Sequence, residues 1–369
     1  MNRTPSFDLS LLPFQNKEKN IELWHQAVEK YEIGEYYEAI DKILLYIKPD
    51  LILQNIPCTY EFAHGSICMY VSILEDRYIF DAPFLEINDI HKIPIMRQVA
   101  EINFSNLNLA NIFLTHNALH FRYEAPIKLS APSKFFAVFE EICLKADNYD
   151  DIFIEKFKAK RISKSIITQY EEDLLQKSWE KFNFYIQETD EYIRFFTSKK
   201  IEKFAWDALY LGFSRMQYVL QPQGFLKAEI EKGIRILTNS EENSATRVFK
   251  AKKIFESIKL WTPQMLKDNL YHIQELVDTK VKKDIESVQN YIRDSYYTAQ
   301  EEMAQKDYVG ATLTVLCSFY GLLAFHRLPN EIMEIITSAL KDTSQQKWTM
   351  SATRLFDASN QILNMKIER

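Results

Sequence analysis

At 369 residues the chain can hold two or three ordinary cores, since a single core rarely grows beyond roughly 250 residues. Hydrophobic residues make 47% of it and charged residues 26%, which excludes extended disorder, and a formal charge of −6 opposes broad attraction to nucleic acid or anionic lipid. Gly is scarce, with 7 in all, which excludes the phosphate-cradling loops that depend on φ > 0 and close backbone approach.

After a loose start containing Pro5 and Pro13, residues 17–30 and 36–47 read as two helices joined at Gly34. Trp24, Ala27, Val28 and Tyr31 share a face of the first; Ala39, Ile40, Ile43, Leu44 and Ile47 share a face of the second. The pattern W-x2-A-x3-Y-x2-G-x-Y-x2-A resembles a tetratricopeptide repeat, in which small residues let two antiparallel helices approach. A related pattern recurs 272 residues on, with Tyr296, Ala299, Met303, Tyr308 and Ala311 in the places of Trp24, Ala27, Tyr31, Tyr36 and Ala39. Lys306 there replaces Gly34, which matters little unless the turn is left-handed. Two copies so far apart do not make a solenoid.

Residues 65–74 and 77–84 alternate in polarity and form a hairpin around Glu75-Asp76-Arg77, with Ile67, Met69, Val71 and Ile73 facing a core. Pro94 opens an amphipathic helix carrying Ile95, Val99 and Ile102. A second hairpin spans 111–123 around His116-Asn117, with Asn117 expected to take the positive φ of the turn. A helix over 133–146 follows, then Asp147, Asp150 and Asp151, read as caps of a further helix over 152–158. The segment from 64 to 157 resembles the YbjN-like family with its type III secretion chaperone-like fold. The likeness rests on the helix end Val99-Ala100-Glu101-Ile102-Asn103-Phe104, the hairpin from Ile112 to Glu124, and the helix from Ser133 to Ala146 closing on Asp147-x-Tyr149-Asp150. It implies a binding or chaperone-like role with frequent dimerisation, and it carries no family active site.

From 166 onward the pattern is almost continuously helical, with helices at 167–199, 201–220, 226–238, 244–260, 263–306, 310–326, 331–340 and 345–365. The expected fold is α+β: a helical hairpin (1–50), a chaperone-like α/β module with a small antiparallel sheet (51–161), and a large all-α domain (162–369).

Four cysteines, Cys58, Cys68, Cys143 and Cys317, show no paired spacing, which fits a reducing cytoplasm. No signal peptide is evident, and no stretch is read as reaching the ~18 apolar residues of a membrane span. Cys58, His64 and Cys68 match no compact zinc loop, so no metal is expected. His116 and His120 read as exposed hairpin residues; His25, His91, His272 and His326 have no evident carboxylate or nucleophile companion. Glu171-Glu172-Asp173 and Glu301-Glu302 read as solvated helix faces, as do Lys156, Lys158, Lys160, Arg161 and Lys164. Arg97 and Glu101 read as a surface ion pair; Arg122 and Glu124 lie where an interdomain catalytic cleft would be sought.

Aromatic residues make 14% of the chain. Their densest run offers two readings, core packing or a partner groove. A groove would use Phe184, Tyr185, Tyr192, Phe195, Phe196, Trp206 and Tyr210. The chain therefore reads as a non-enzymatic cytoplasmic binding or chaperone-like protein with a protein or peptide partner, no cofactor, no nucleic acid and a homodimer as one arrangement. A helical adaptor is the alternative, and an enzyme the third.

Overall fold

A computed structural model describes residues 3–13, 19–87, 91–162, 168–199, 201, 203–278 and 280–366. Lys17, Lys164 and Ile167, which entered the sequence reading, lie outside the described residues. The chain is an α+β module with a small antiparallel sheet and a large all-α assembly. It divides into two compact units, an α/β unit of Phe14–Gln169 with Tyr271–Thr279, and a helical unit of Met1–Pro13, Tyr170–Leu270 and Lys280–Arg369. This division differs from a cut at 50/51 and 161/162. The first helical hairpin packs on the sheet's covering helix, and a short strap from the start of the chain joins the helical unit.

In the α/β unit, α1 (Ile21–Glu32) and α2 (Tyr36–Ile47) form the first hairpin. Asn20 caps α1 by accepting the Glu22 N–H at 3.1 Å. Gly34, at φ +86, closes it: Glu35 N–H donates to Lys30 O at 2.9 Å and Gly34 N–H to Tyr31 O at 3.1 Å, a Schellman turn. The sheet follows as β1 (Cys58–His64), β2 (Ile67–Ile73) and β3 (Arg77–Glu86), then α3 (Lys92–Ser105), β4 (Asn111–Thr115) and β5 (Ala118–Pro126). Its order is β1-β2-β3-β5-β4, antiparallel throughout, with β6 (Lys160–Arg161) added at the end of β3. Tyr60, Phe62, Met69, Phe80 and Phe121 meet Phe135 and Phe139 of α4 (Pro132–Phe157) in one core. Trp24 fixes the hairpin onto α4, its ring 5.8 Å from that of Phe136. A small ladder of β7 (Thr168–Gln169) with β8 (Tyr271–His272) completes the unit.

Two expectations are corrected in this unit, and the edge strand β1, which opens at Cys58, is not among the expected strands. His116, at φ +58, takes the left-handed position of the β4–β5 turn in place of Asn117. The helix does not break at Asp147; α4 runs on to Phe157 with Asp150 on the same buried stripe as Phe139, Cys143, Ala146 and Phe153. Asp150 fits there because Ser66 Oγ donates to it at 2.6 Å and Arg161 Nε at 2.8 Å, and buried charge is tolerated only when paired and hydrogen-bonded. Burial, reinforced by Asp151 and Asp147, pushes the Asp150 carboxyl upward, while Arg161 opposes it.

The helical unit comprises α5 (Glu172–Ser198), α6 (Lys203–Leu220), α7 (Gly224–Thr238), α8 (Ser244–Ile258), α9 (Pro263–Lys267), α10 (Ile285–Ala304), α11 (Tyr308–Phe325), α12 (Asn330–Thr343) and α13 (Trp348–Leu363). β9 (Val281–Lys282) and β10 (His326–Arg327) pair in parallel. The expected long helix over 263–306 is broken. Thr262 and Pro263 start α9 as cap and first residue, but Asn269 ends it by accepting the Leu226 N–H at 2.9 Å and the Gln223 N–H through its carbonyl at 2.8 Å. Asp284 then caps α10 afresh, accepting from Ser287 N–H at 2.8 Å. The α10–α11 turn repeats the α1–α2 turn bond for bond: Asp307 N–H donates to Glu302 O at 2.8 Å, and Lys306 N–H to Met303 O at 2.9 Å with Lys306 at φ +64. The turn is thus left-handed, and Lys306 carries the penalty of about 1 kcal/mol that Gly34 avoids.

α6 and α11 form the centre of this unit. α11 carries no charged residue and has the length and apolarity of a membrane-crossing helix, contrary to the expectation that no stretch does; most of it is buried among α6, α10 and α13. Between α6 and α11, Cys317 Sγ lies 3.7 Å from Asp207 Oδ1. Burial pushes the Asp207 carboxyl up to about 7, Glu302 adding to the shift and Cys317 opposing it. The folded-state value exceeds the unfolded one, so this group's contribution is complete below about pH 4 and is lost as pH rises through 7. We expect the wild type to lose on the order of 2 kcal/mol over that window relative to Asp207→Asn, less than the full shift implies because part of the residue meets water. Urea midpoints of both proteins from pH 4.5 to 8.5 check this; parallel pH profiles would refute it.

Candidate binding site

The segment Leu209–Leu220 of α6 contains one charge, Arg215, with 2% of its surface exposed. A lone charge on a helix buried all round needs a partner, and Glu188 of α5 provides it at 2.6 Å. Burial works against the Arg215 charge, and Glu188, with Tyr320 and Tyr185, outweighs it, so the guanidinium is held above its ordinary range. It stacks 4.4 Å over the Tyr185 ring and donates through Nη2 to Ser6 O at 2.7 Å and Ser6 Oγ at 2.9 Å. Glu188 Oε1 accepts the Ser6 N–H at 3.1 Å and Gln345 Nε2 at 2.9 Å.

Ser6 belongs to the strap of residues 3–13. Thr4 donates through N–H to Gln346 O at 2.9 Å and through its hydroxyl to Thr343 O; Phe7 N–H donates to Ser344 Oγ at 3.0 Å. Asp8 accepts Lys181 Nζ at 2.5 Å and the Tyr185 hydroxyl at 2.7 Å, and Arg3 O accepts the Tyr192 hydroxyl at 2.8 Å. Gln345 holds its place in the α12–α13 turn at φ +59, a left-handed conformation uncommon outside Gly and Asn.

Above this network lies an open cavity of about 620 Å³, lined by Arg3, Ser6, Phe184, Gln187, Glu188, Glu191, Tyr192 and Gln345. The volume falls within the range of small-ligand and peptide sites. The floor is one stripe of α5, residues 184, 187, 188, 191 and 192, spaced three and four apart so that they share a face. Gln187 Nε2 donates to Glu191 at 3.0 Å along it. Chemically the cavity offers two amides, two carboxylates, a guanidinium and two aromatic rings, a set suited to holding a polar organic ligand.

Of the seven aromatic residues picked out as a partner groove, the structure brings Phe184 and Tyr192 to this cavity and seats Tyr185 beneath it. Phe184 is 42% exposed; Tyr185, Tyr192, Phe196 and Tyr210 are buried, and Phe195 and Trp206 are partly so. Trp206 stacks on Tyr210 at 5.0 Å and donates to Leu237 O at 2.8 Å, and Phe195 lies against Phe196 at 5.5 Å. The seven therefore form no continuous exposed groove, because their stripe faces the unit's own core. Arg3, Ser6, Glu188, Arg215 and Gln345 were not picked out from the sequence. Arg215 alone had a signal there, as the single charge in the apolar segment Leu209–Leu220.

The α/β unit places the other candidates. Cys68 Sγ donates to Glu61 at 3.1 Å, and burial with Glu61 alongside pushes its thiol up to about 12; His64 Nδ1 accepts the Leu276 N–H at 3.1 Å. Among the described residues no three His, Cys, Asp or Glu side chains are grouped to hold a metal ion. Arg161, read as part of a solvated basic face, is instead tied to Asp150 and, at 2.6 Å, to Asp151. His120, read as exposed, is partly buried with Nδ1 3.1 Å from Asp81. The expected Arg97–Glu101 pair is not formed among the described residues; Glu101 accepts Gln98 Nε2 at 3.3 Å. Glu124 accepts Arg77 at 2.6 Å and Arg122 at 3.1 Å. These pairs lie on the sheet face turned away from α4. Glu61, Tyr70, Asp81, Arg122 and Asn111 form one row there across five strands, with Tyr70 36% and Phe113 50% exposed.

Neither a protein-family model nor a curated protein matches the chain.

Proposed function

We propose that the protein is a non-enzymatic binding protein whose helical unit holds a peptide or a polypeptide segment in the cavity beside the strap. One observation carries this reading: an open cavity with an aromatic and amide lining stands on a buried Arg215–Glu188 pair that the fold maintains at a desolvation cost. The four cysteines, all buried and unpaired, accord with a reducing compartment such as the cytoplasm.

A second reading keeps the chaperone-like role for the α/β unit and is favoured by the uncovered sheet face with Tyr70 and Phe113. The two are separated by a photo-crosslinking amino acid placed in turn at Phe184, at Phe113 and at Phe249, which is 60% exposed on α8 and serves as control. Under the first reading position 184 crosslinks a polypeptide that 249 does not, and Gln187→Ala weakens its retention about tenfold. Crosslinking confined to 113 would favour the sheet face, and equal labelling at all three positions would remove both.

A further inference from the structure

The cavity's charges face each other from different elements. Glu188 is neutralised from below by Arg215, which leaves Glu191 on α5 and Arg3 on the strap as the charges open to a ligand. Both are exposed, and neither side chain forms an ion pair among the described residues; Arg3 engages its neighbours through its backbone, bridging Lys347 and accepting from Tyr192. Gln187 and Gln345 supply amide donors and acceptors, and Phe184 and Tyr192 supply apolar surface.

A ligand matching that lining has a cation, an anion, hydrogen-bonding amides and an apolar side chain. We infer that the site takes a short zwitterionic peptide, its carboxylate on Arg3, its ammonium on Glu191, its amide bonds against Gln187 and Gln345, and an apolar side chain on Phe184 and Tyr192. The volume of about 620 Å³ accommodates on the order of two to four residues. Single-charge ligands fit less well: a cation alone meets Arg3, and an anion alone meets Glu191. The inference rests on the cavity being the binding site, and deepens that reading by naming the ligand's charge pattern.

The test uses the full chain and four forms of the tripeptide Ala-Phe-Ala: free, N-acetylated, C-amidated and blocked at both ends. Binding is followed calorimetrically and through Trp348, whose ring lies 6.2 Å from Tyr192. The free form should bind best, each blocked end weakening it about tenfold, as expected for a lost charge-assisted hydrogen bond. Glu191→Gln should erase the difference between free and acetylated peptide while keeping that between free and amidated; Arg3→Gln should do the reverse. That crossed pattern cannot come from a general loss of folding. Doubly blocked peptide binding as tightly as free peptide would overturn the charge pattern while leaving the cavity as a binding site. Failure of the free peptide to bind would also overturn it, and crosslinking at Phe184 then decides the broader reading separately.

Discussion

Replacing Arg215 with Met is expected to lower the stability of the helical unit by about 3–5 kcal/mol, because Glu188 keeps a buried charge that has lost its cation. Ser6 N–H and Gln345 Nε2 remain as donors to Glu188, but neutral donors do not replace a guanidinium at 2.6 Å. Ser6 loses two further bonds from Arg215, so the strap should loosen with it. The double variant Arg215→Met with Glu188→Met should recover most of the loss, since an apolar pair of similar volume often matches a buried ion pair. Urea unfolding followed by tryptophan emission reads this unit well, as Trp179, Trp206, Trp261 and Trp348 belong to it. A loss below about 1 kcal/mol for the single variant, or a double variant as unstable as the single, would contradict the account.

The second large effect concerns Gly65, between β1 and β2. It sits at φ +56, and a Cβ there would lie 2.0 Å from Asp147 Oδ1. Asp147 cannot retreat freely, because the same oxygen accepts the Ser66 N–H at 2.6 Å, while Gly65 N–H is itself bonded to Gln274 O at 3.1 Å. Gly65→Ala should therefore destabilise the α/β unit by about 2–4 kcal/mol, of which the left-handed backbone accounts for about 1 and the displaced carboxylate for the rest. Asp147→Ala in the same chain removes the clash but also the bond to Ser66 N–H. Gly65→Ala should cost less in that background than in the wild type. Thermal unfolding of the four proteins gives the coupling, and additive effects would exclude the steric explanation.

How much could be read beforehand follows the physics of each signal. Strands β2, β3, β4 and β5 and most helices announce themselves by local periodicity, and a fold with a small antiparallel sheet and a large helical assembly follows from them. The misreadings come from tertiary partners. Asp150 looks like a helix cap because its neighbours Asp147 and Asp151 are acidic, and only Ser66, far off in sequence, and Arg161, on a separate strand beyond the helix end, allow it inside a helix. Asn269 ends α9 through bonds to the start of α7. Phe184 and Tyr192 were found by their aromatic density, but Ser6, Gln345 and Arg3 could not be, because a cavity is a property of elements brought together across the chain.

Thr4 bonds to Thr343 and Gln346 across 339 and 342 residues. At typical synthesis rates this interval takes roughly 20 to 70 seconds, during which the strap's docking surface is incomplete. Phe7, Leu11 and Leu12 pack against the finished helical core; Phe7 stacks on Tyr218 and Leu11 N–H bonds to Val219 O, so they stay uncovered until α6 emerges and incompletely covered until α11 and the α12–α13 turn follow. The α/β unit's main body emerges in the same period and has its own core to fold around, whereas the helical unit must wait for the α12–α13 turn. Closure of so long a loop is slow compared with local helix formation. The nascent chain thus carries an apolar segment whose exposure is set by timing rather than by structure, shrinking stepwise as α6, α11 and the α12–α13 turn emerge.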